Sequence, residues 1–326
     1  MTERIEQKAK KNPLIILTGP TAVGKTKLSI RLAKALDAEI ISADSMQVYR
    51  HMDIGSAKVT TEEMQGVRHH LIDILEPTES FDVARFQQLA KESLRDIRER
   101  GKVPIVVGGT GFYIQALLYD IDFCESEGGN GEIRRELEAL AKERGAAYLH
   151  AELAKVDAES AAAIHANNCK RVIRALEFYR LTGKKISLHN EEERKKESPY
   201  AFLYYVLNDE RAALYERIDA RVEQMLKEGL LEEVRHLYEQ GLHRDMVSMQ
   251  GLGYKEILDY LSGECSLEEA VRILKRDTRH FAKRQLTWFK REREVRWLNL
   301  WEFGYDQERV LEYILGDCEK ELGLSE

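Results

Sequence analysis

Apolar positions recur along the chain with two periods, and the order in which those periods alternate predicts an α/β fold. Leu14–Leu17 is a short, continuous apolar run of the kind found in strands buried on both faces. It leads through a glycine-bearing stretch into a helical pattern over Lys25–Leu36. Glu39–Ala43 is a second short strand, Met52–Lys58 a loop, and His69–Ile74 an alternating strand or strand-like connection. A helix start at Ser80-Phe81-Asp82 precedes the apolar stripe Phe86, Leu89, Ala90, Leu94 and Ile97, which stops at Gly101. Val103–Val107 is then a buried parallel strand, and Phe112–Leu118 is helical.

From residue 121 to 198 the strand signal fades. Helical runs cover Glu132–Arg144, Ala147–Ala154, Ala158–Ile164 and Asn168–Leu181, the last stopping at Gly183, and Lys184–Pro199 is polar and charged. This reads as a small helical insertion. The sheet resumes at Phe202–Leu207, followed by a long helix over Arg211–Lys227 that stops at Gly229. Gln250–Glu256 is a glycine-bearing helix entry, Ser266–Phe289 holds one or two helices, Trp297–Leu300 is a last strand and Glu308–Leu322 a terminal helix.

Length and composition fit this picture. A chain of 326 residues, 43% hydrophobic and 33% charged, suits two domains, or one domain with an insertion, around a real core. No run approaches the apolar length of a membrane span, so no membrane association is expected. The stretch Met1–Asn12 is short and charged, and reads as a frayed tail rather than a secretory signal. Cys124, Cys169, Cys265 and Cys318 are far apart with no C-x-x-C pair, which argues against a zinc site or disulfide framework and fits a reducing cytoplasm.

Net charge is −7, which taken alone argues against nucleic acid. Its distribution changes that reading, because Arg272–Arg296 contains ten Lys/Arg and three Asp/Glu. At about 100° per residue, Arg276, Arg279, Lys283 and Lys290 share one helix face, with Leu274, Phe281 and Trp288 roughly opposite. Such a face is either solvated surface or a track for a phosphate backbone.

Candidate chemistry begins between the first strand and helix. Gly19-Pro20-Thr21-Ala22-Val23-Gly24-Lys25-Thr26 fits the phosphate loop G-x-x-x-x-G-K-[ST]. Glycines let backbone N–H groups turn inward, the helix N-terminus adds unpaired donors, Lys25 adds charge, and the Thr26 hydroxyl can hold Mg²⁺. Asp44 follows the second strand and would stand at the same sheet mouth, either as a helix cap or as a carboxylate beside phosphates, acting as Mg²⁺ ligand or general base. The strand at 103–107 ends in Gly108-Gly109-Thr110-Gly111, without the magnesium-site Asp of many triphosphate hydrolases, which suggests close approach to the backbone at Thr110. His69 and His70 are adjacent and would point to opposite strand faces, so they could not easily share a metal. Arg217 and Arg221 are four apart and share a helix face, solvated or functional.

Taken together these pieces closely resemble the tRNA dimethylallyltransferase, or tRNA isopentenyltransferase, family of bacterial type. The resemblance is carried by Gly19–Thr26, Asp44-Ser45-Met46-Gln47, Met52–Lys58, Leu71–Ile74 and Gly108-Gly109-Thr110. It continues through Lys170–Glu177, Gln250–Glu256 and Lys283–Phe289, in family order over nearly the whole chain. It implies a P-loop NTPase-like three-layer α/β core with a parallel sheet, formed by residues 1–120 and 199–326. Residues 121–198 would be a small all-helical insertion that grips the tRNA anticodon arm.

The implied reaction moves a dimethylallyl group from dimethylallyl diphosphate to the exocyclic amine of the adenosine 3′ of the anticodon, with Mg²⁺ at Thr26 and without ATP hydrolysis. Asp44 matches the family's general base and Arg221 its diphosphate arginine, with Arg217 as helper. The loop from Gly19 to Thr26 would hold the diphosphate. RNA contacts are implied for Asp44, Ser45, Met46, Gln47, Thr110, Gln250, Gly251, Gly253 and Lys255. Further contacts are implied for Lys283, Arg284, Gln285, Trp288 and Lys290, and, in the insertion, for Arg134, Lys170, Arg171 and Arg174. A large tRNA footprint on a chain of this size suggests a monomer. The rival readings are a small-molecule kinase using ATP and a non-enzymatic tRNA-binding module.

Overall fold

In a computed structural model of the chain, residues 12–123 and 131–325 are described, and the tail expectation for Met1–Asn12 falls almost wholly outside them. Among the described residues six parallel strands form one sheet: β1 Pro13–Thr18, β2 Ala38–Ala43, β3 His69–His70, β4 Val103–Gly108, β5 Ala201–Asn208 and β6 Val295–Asn299. Their order is β3-β2-β4-β1-β5-β6. From β1 the chain passes over the place of β4 to reach β2, then returns through β3 to β4. Right-handed crossovers in opposite directions put the helices Lys25–Ala35 and Val83–Glu99 on opposite faces, which makes three layers.

The register decides where function can sit. Thr18 lies opposite Gly108, and Ala43 lies opposite the same Gly108. The carboxyl ends of β1, β2 and β4 therefore open side by side at the point where strand order reverses, the usual ligand crevice of such sheets.

One sheet face packs Ile15, Leu17, Leu203, Tyr205 and Leu207 against Leu28 and Leu32 of the first helix, Leu214 and Ile218 of Arg211–Glu228, and Val310 and Ile314 of Gln307–Leu322. Helix Val83–Glu99 starts where the Asp82 side chain accepts from the Arg85 N–H (2.9 Å) and buries Phe86, Ala90, Leu94 and Ile97. Phe86 stacks on Tyr113 of helix Gly111–Leu118 with ring centroids 4.6 Å apart.

The chain divides into two compact units, 1–118 with 199–326, and Tyr119–Ser198. The second is all helical in its described residues: Glu132–Arg144, Ala146–Val156, Ala158–Ala163, Cys169–Thr182 and Ile186–Lys195. Its core is built from Leu137, Leu149, Leu153, Val172 and Leu176. The charged stretch from Lys184 gains a helix that apolar period did not announce. It is anchored by polar atoms instead: buried Asp157 accepts from the Ser187 N–H (3.0 Å), and Glu193 accepts from the Asp122 N–H (2.9 Å).

Two other elements depart from expectation. Of the strand or strand-like connection expected over His69–Ile74, only His69–His70 is strand, because Leu71 and Asp73 take positive φ of 63° and 54°. Past Gly229 (φ 106°) a further helix, Leu230–Glu239, starts at once. Ser266–Phe289 proves to be one helix, Leu267–Phe289, with the Ser266 side chain accepting from the Glu269 N–H (3.2 Å).

Candidate active site

The loop after β1 is shaped by two glycines and anchored by one valine. Gly19 has φ 145°, and a Cβ there would run into the Leu207 carbonyl. Gly24, at φ 100°, opens helix Lys25–Ala35 with no side-chain cap and no acidic residue in its first turn. Its first N–H groups are thus left for an anion. Val23 drops into the core and pins the middle of the loop. Lys25 arches back so that Nζ donates to the Gly19 and Pro20 carbonyls at 2.9 and 2.8 Å.

The Lys25 ammonium is pushed down to about 7, chiefly by burial and also by Arg221, with Asp44 opposing the shift. Arg221 is likewise lowered by burial and held up by Asp44. Three residues separated by most of the chain thus feel one another's charge at the sheet mouth. Arg217 does not join them. It ion-pairs with the buried Asp209, and its Nε donates to the Ala22 carbonyl at 3.1 Å. The expectation that Arg217 helps to bind diphosphate gives way to a role in fixing the loop, through an Asp209 that no local pattern marked.

Asp44 closes a turn after β2, where among the described residues no helix follows for it to cap. Its Oδ1 accepts from the N–H groups of Met46 (2.8 Å) and Gln47 (3.4 Å), while Oδ2 takes part in no hydrogen bond among the described residues. The turn is braced from below. Gln47 accepts from the Ser42 hydroxyl (3.0 Å) and donates to the Ala57 carbonyl (3.2 Å).

The loop carrying Ala57 is itself held by Glu233. That carboxylate accepts from the N–H groups of Asp53 (2.9 Å), Ile54 (2.8 Å) and Gly55 (3.0 Å), and from the Tyr254 hydroxyl (2.8 Å). Lys58 closes the loop's other end, reaching the Tyr49 carbonyl (2.7 Å), Asp53 (2.5 Å) and Asp73. Glu233 escaped sequence reading because it sits on the helix that was not foreseen; the clustered backbone donors of Asp53-Ile54-Gly55 were its only local hint.

At the end of β4, close approach to the backbone comes from the chain itself. Gln285 accepts from the Thr21 N–H and donates to the Gly109 carbonyl, both at 3.0 Å. A Cβ on Gly109 would overlap its amide, and one on Gly111 would overlap the Trp288 indole. Gln285 is 6% exposed, so its expected RNA contact does not fit: the amide is engaged on both sides. Trp288 is half-buried and edge-on to Phe112 (6.0 Å), which is itself exposed. Thr110 donates its N–H to the Ala43 carbonyl (3.3 Å) and keeps a half-buried side chain at the mouth.

Other expected RNA contacts are held within the fold. Met46 fills the space beside Gly251, Gln250 donates to the Arg244 carbonyl, and the Gly253 N–H is capped by Glu256 (2.9 Å). Lys255 lies 3.3 Å from Glu256 and 3.8 Å from Asp277. Ser45 stays half-buried in the Asp44 turn.

On helix Leu267–Phe289 the buried positions are Ala270, Leu274, Ala282, Gln285 and Phe289, so Phe281 and Trp288 are flanks rather than the centre of the packed face. Arg279 is held by Asp219 (2.6 Å) and Arg276 by Asp277 (2.8 Å). Lys283, Arg284 and Lys290 remain exposed and outside every ion pair of the described residues. In the Tyr119–Ser198 unit, Glu177 takes Arg134 at 3.1 and 2.7 Å and Arg174 at 3.5 Å, which occupies both guanidinium groups. Lys170 and Arg171 stay exposed.

Among the described residues no three His, Cys, Asp or Glu gather as a metal cage. His70 Nε2 instead faces Glu39 (2.7 Å) and His69 Nδ1 the Val67 carbonyl (2.9 Å). Thr26 is exposed, its hydroxyl in no hydrogen bond among the described residues, and it lines a recess with Ser29, Ser42, Gln47 and Val107. Such hard oxygen donors suit a Mg²⁺ that arrives with a diphosphate and keeps most of its waters.

The family described as IPP transferase matches residues 47–292. The chain is 61% identical over 310 residues to the tRNA dimethylallyltransferase of Lachnoclostridium phytofermentans, covering 95% of this chain and 99% of that one. It is 53% identical over 306 residues to that of Clostridioides difficile (94% and 97% covered). The tRNA isopentenylpyrophosphate transferase structure from Bacillus halodurans aligns with a TM-score of 0.72 at 47% identity, covering 96% of this chain and 99% of that one. A eukaryotic dimethylallyltransferase solved acting on tRNA aligns with a TM-score of 0.82 at 31% identity, covering 94% and 79%.

Proposed function

The chain belongs to the tRNA dimethylallyltransferase family, and from that footing we propose how its own residues divide the work of prenyl transfer. The enzyme moves a dimethylallyl group from dimethylallyl diphosphate to tRNA. The observation that carries the site assignment is the convergence of Lys25, Arg221 and Asp44 at the mouth of β1 and β2.

The acceptor is the exocyclic amine of the adenosine 3′ of the anticodon. It is a weak nucleophile because its lone pair is drawn into the ring. Its nitrogen forms the new C–N bond as the C–O bond to diphosphate breaks, and the amine proton passes to the unbonded Oδ2 of Asp44. Negative charge grows on the leaving diphosphate. Backbone N–H groups of Ala22–Thr26, the Lys25 ammonium and the Arg221 guanidinium hold that charge. Thr26 would hold Mg²⁺, which would supply Lewis-acid neutralisation of the leaving group's charge. The diphosphate stays in the loop while the carbon departs.

The target base lies inside the anticodon loop and must leave its stack to reach Asp44. Exposed Lys283, Arg284 and Lys290 supply phosphate contacts, Thr110 lies where the nucleotide enters, and the exposed Lys170 and Arg171 touch the stem-loop. The enzyme acts as a monomer in this reading. A kinase reading is not favoured by the relatives.

The test is incubation with tRNA, Mg²⁺ and dimethylallyl diphosphate, with mass analysis of the nucleosides. Prenylated adenosine and released diphosphate are expected. Arg221→Ala is expected to slow turnover about 10²–10³-fold while tRNA binding holds. Full activity of Arg221→Ala would remove that residue from the mechanism.

A further inference from the structure

We propose that Gln285 is a positioning residue for the departing diphosphate, tying the loop after β1 to the glycine turn after β4 and fixing both to helix Leu267–Phe289. The inference rests on the prenyl-transfer reading but goes beyond it. Gln285 reaches across 264 residues to the Thr21 N–H and across 176 to the Gly109 carbonyl. An N–H can only donate and a carbonyl can only accept, so the Gln285 amide has one allowed orientation. It is an oriented clamp between two loops that no strand hydrogen bond joins beyond Thr18 and Gly108.

Two glycines after β4 are cut to the shape of side chains on this helix, one of them to Gln285 itself. A Cβ on Gly109 would overlap the Gln285 amide nitrogen. Three residues along the same helix, the Trp288 indole fills the space a Cβ on Gly111 would need. The glycines after β4 thus make room for a side-chain latch from within the chain. The latch turns the Thr21 N–H toward Gln285, leaving the amides of Ala22–Thr26 as the diphosphate cradle. It also makes one helix carry both the loop's brace and, beside it in sequence, the exposed Lys283 and Arg284. RNA held on those cations and diphosphate held in the loop are thereby referred to a single rigid element.

Gln285→Met keeps nearly the same volume and loses both hydrogen bonds. In the full-length enzyme it is expected to lower kcat about tenfold or more and to weaken Mg²⁺-pyrophosphate binding, measured without tRNA, by about three- to tenfold. KM for dimethylallyl diphosphate should rise with it, and the Kd for tRNA should stay within about twofold. Gly109→Ala attacks the clamp from the other side and should give the same split. In a Gln285→Ala background, where the amide is gone, Gly109→Ala should cost nothing further. Circular dichroism and Tm establish that each variant is folded, and the Gly109→Ala pair carries the test should Gln285→Met fail to fold.

Unchanged kcat and pyrophosphate affinity in folded Gln285→Met or Gly109→Ala would overturn the proposal. So would a loss of tRNA affinity with pyrophosphate affinity kept, which would make Gln285 an RNA contact. Absence of prenylated adenosine with the unmodified enzyme would instead count against the reaction itself, and the pyrophosphate measurement would still decide the clamp.

Discussion

Lys25 is the residue whose environment says most about the reaction. In the ligand-free protein its ammonium is pushed down to about 7 by burial and by Arg221. A diphosphate held there would restore the charged form, so its binding should take up a proton above pH 7. Below about pH 7 the ammonium is already charged, and affinity does not change through this group. As pH rises above 7 the proton must be supplied on binding, so pyrophosphate affinity falls. Calorimetry at pH 8 in buffers of different ionisation enthalpy should show proton uptake that Lys25→Met abolishes; equal heats in all buffers would contradict this.

Glu292 gives a second pH signature. Burial raises its carboxyl to about 7, with Gln115 donating to it at 3.3 Å. A raised carboxyl favours the protonated folded form, so stability is lost as pH rises from the unfolded value near 4.5 through 7. Glu292→Gln should therefore raise Tm at pH 8 and leave it unchanged at pH 4. A Tm gap independent of pH would refute the assignment.

At the scale of elements, the turn bearing Asp44 is only as firm as the loop beneath it. Glu233 gathers three backbone N–H groups and the Tyr254 hydroxyl. Removing the carboxylate leaves those donors unpaired, so Glu233→Ala should cost about 2–4 kcal/mol of stability, read as a shift in the urea midpoint. A change under 0.5 kcal/mol would show that the loop holds itself. Helix Leu267–Phe289 makes a separate prediction. With Arg276 and Arg279 tied to carboxylates, reversing Lys283 and Arg284 to Glu should weaken tRNA binding and flatten its dependence on salt. An unchanged salt slope would exclude the phosphate track.

For the whole molecule, the parts written in local pattern were legible: the parallel strands from their apolar runs, the glycine-shaped loop after β1 from its motif, the run of helices past residue 121 from its change of period, and the family from the ordered motifs. What local pattern missed was determined by distant partners. His69–Ile74 reads as a strand until positive φ at Leu71 and Asp73 ends it. Arg217, Arg134 and Arg174 look like ligand-binding cations until Asp209 and Glu177 occupy them. Gln285 lies within a motif expected to touch RNA, yet its partners are Thr21 and Gly109. Side-chain chemistry shows what a residue could bind; only the fold shows whether that capacity is already taken.

In the proposed mechanism diphosphate is held at Lys25 and Arg221 while Asp44 takes the amine proton. The most direct measurement is the single-turnover rate of prenyl transfer to tRNA by Asp44→Asn, with tRNA and pyrophosphate affinities measured alongside. Asparagine keeps an oxygen for the Met46 and Gln47 N–H groups and loses only the base. The rate is expected to fall by about 10²–10⁴-fold with both affinities within about threefold of the parent. A rate equal to the parent's would contradict it.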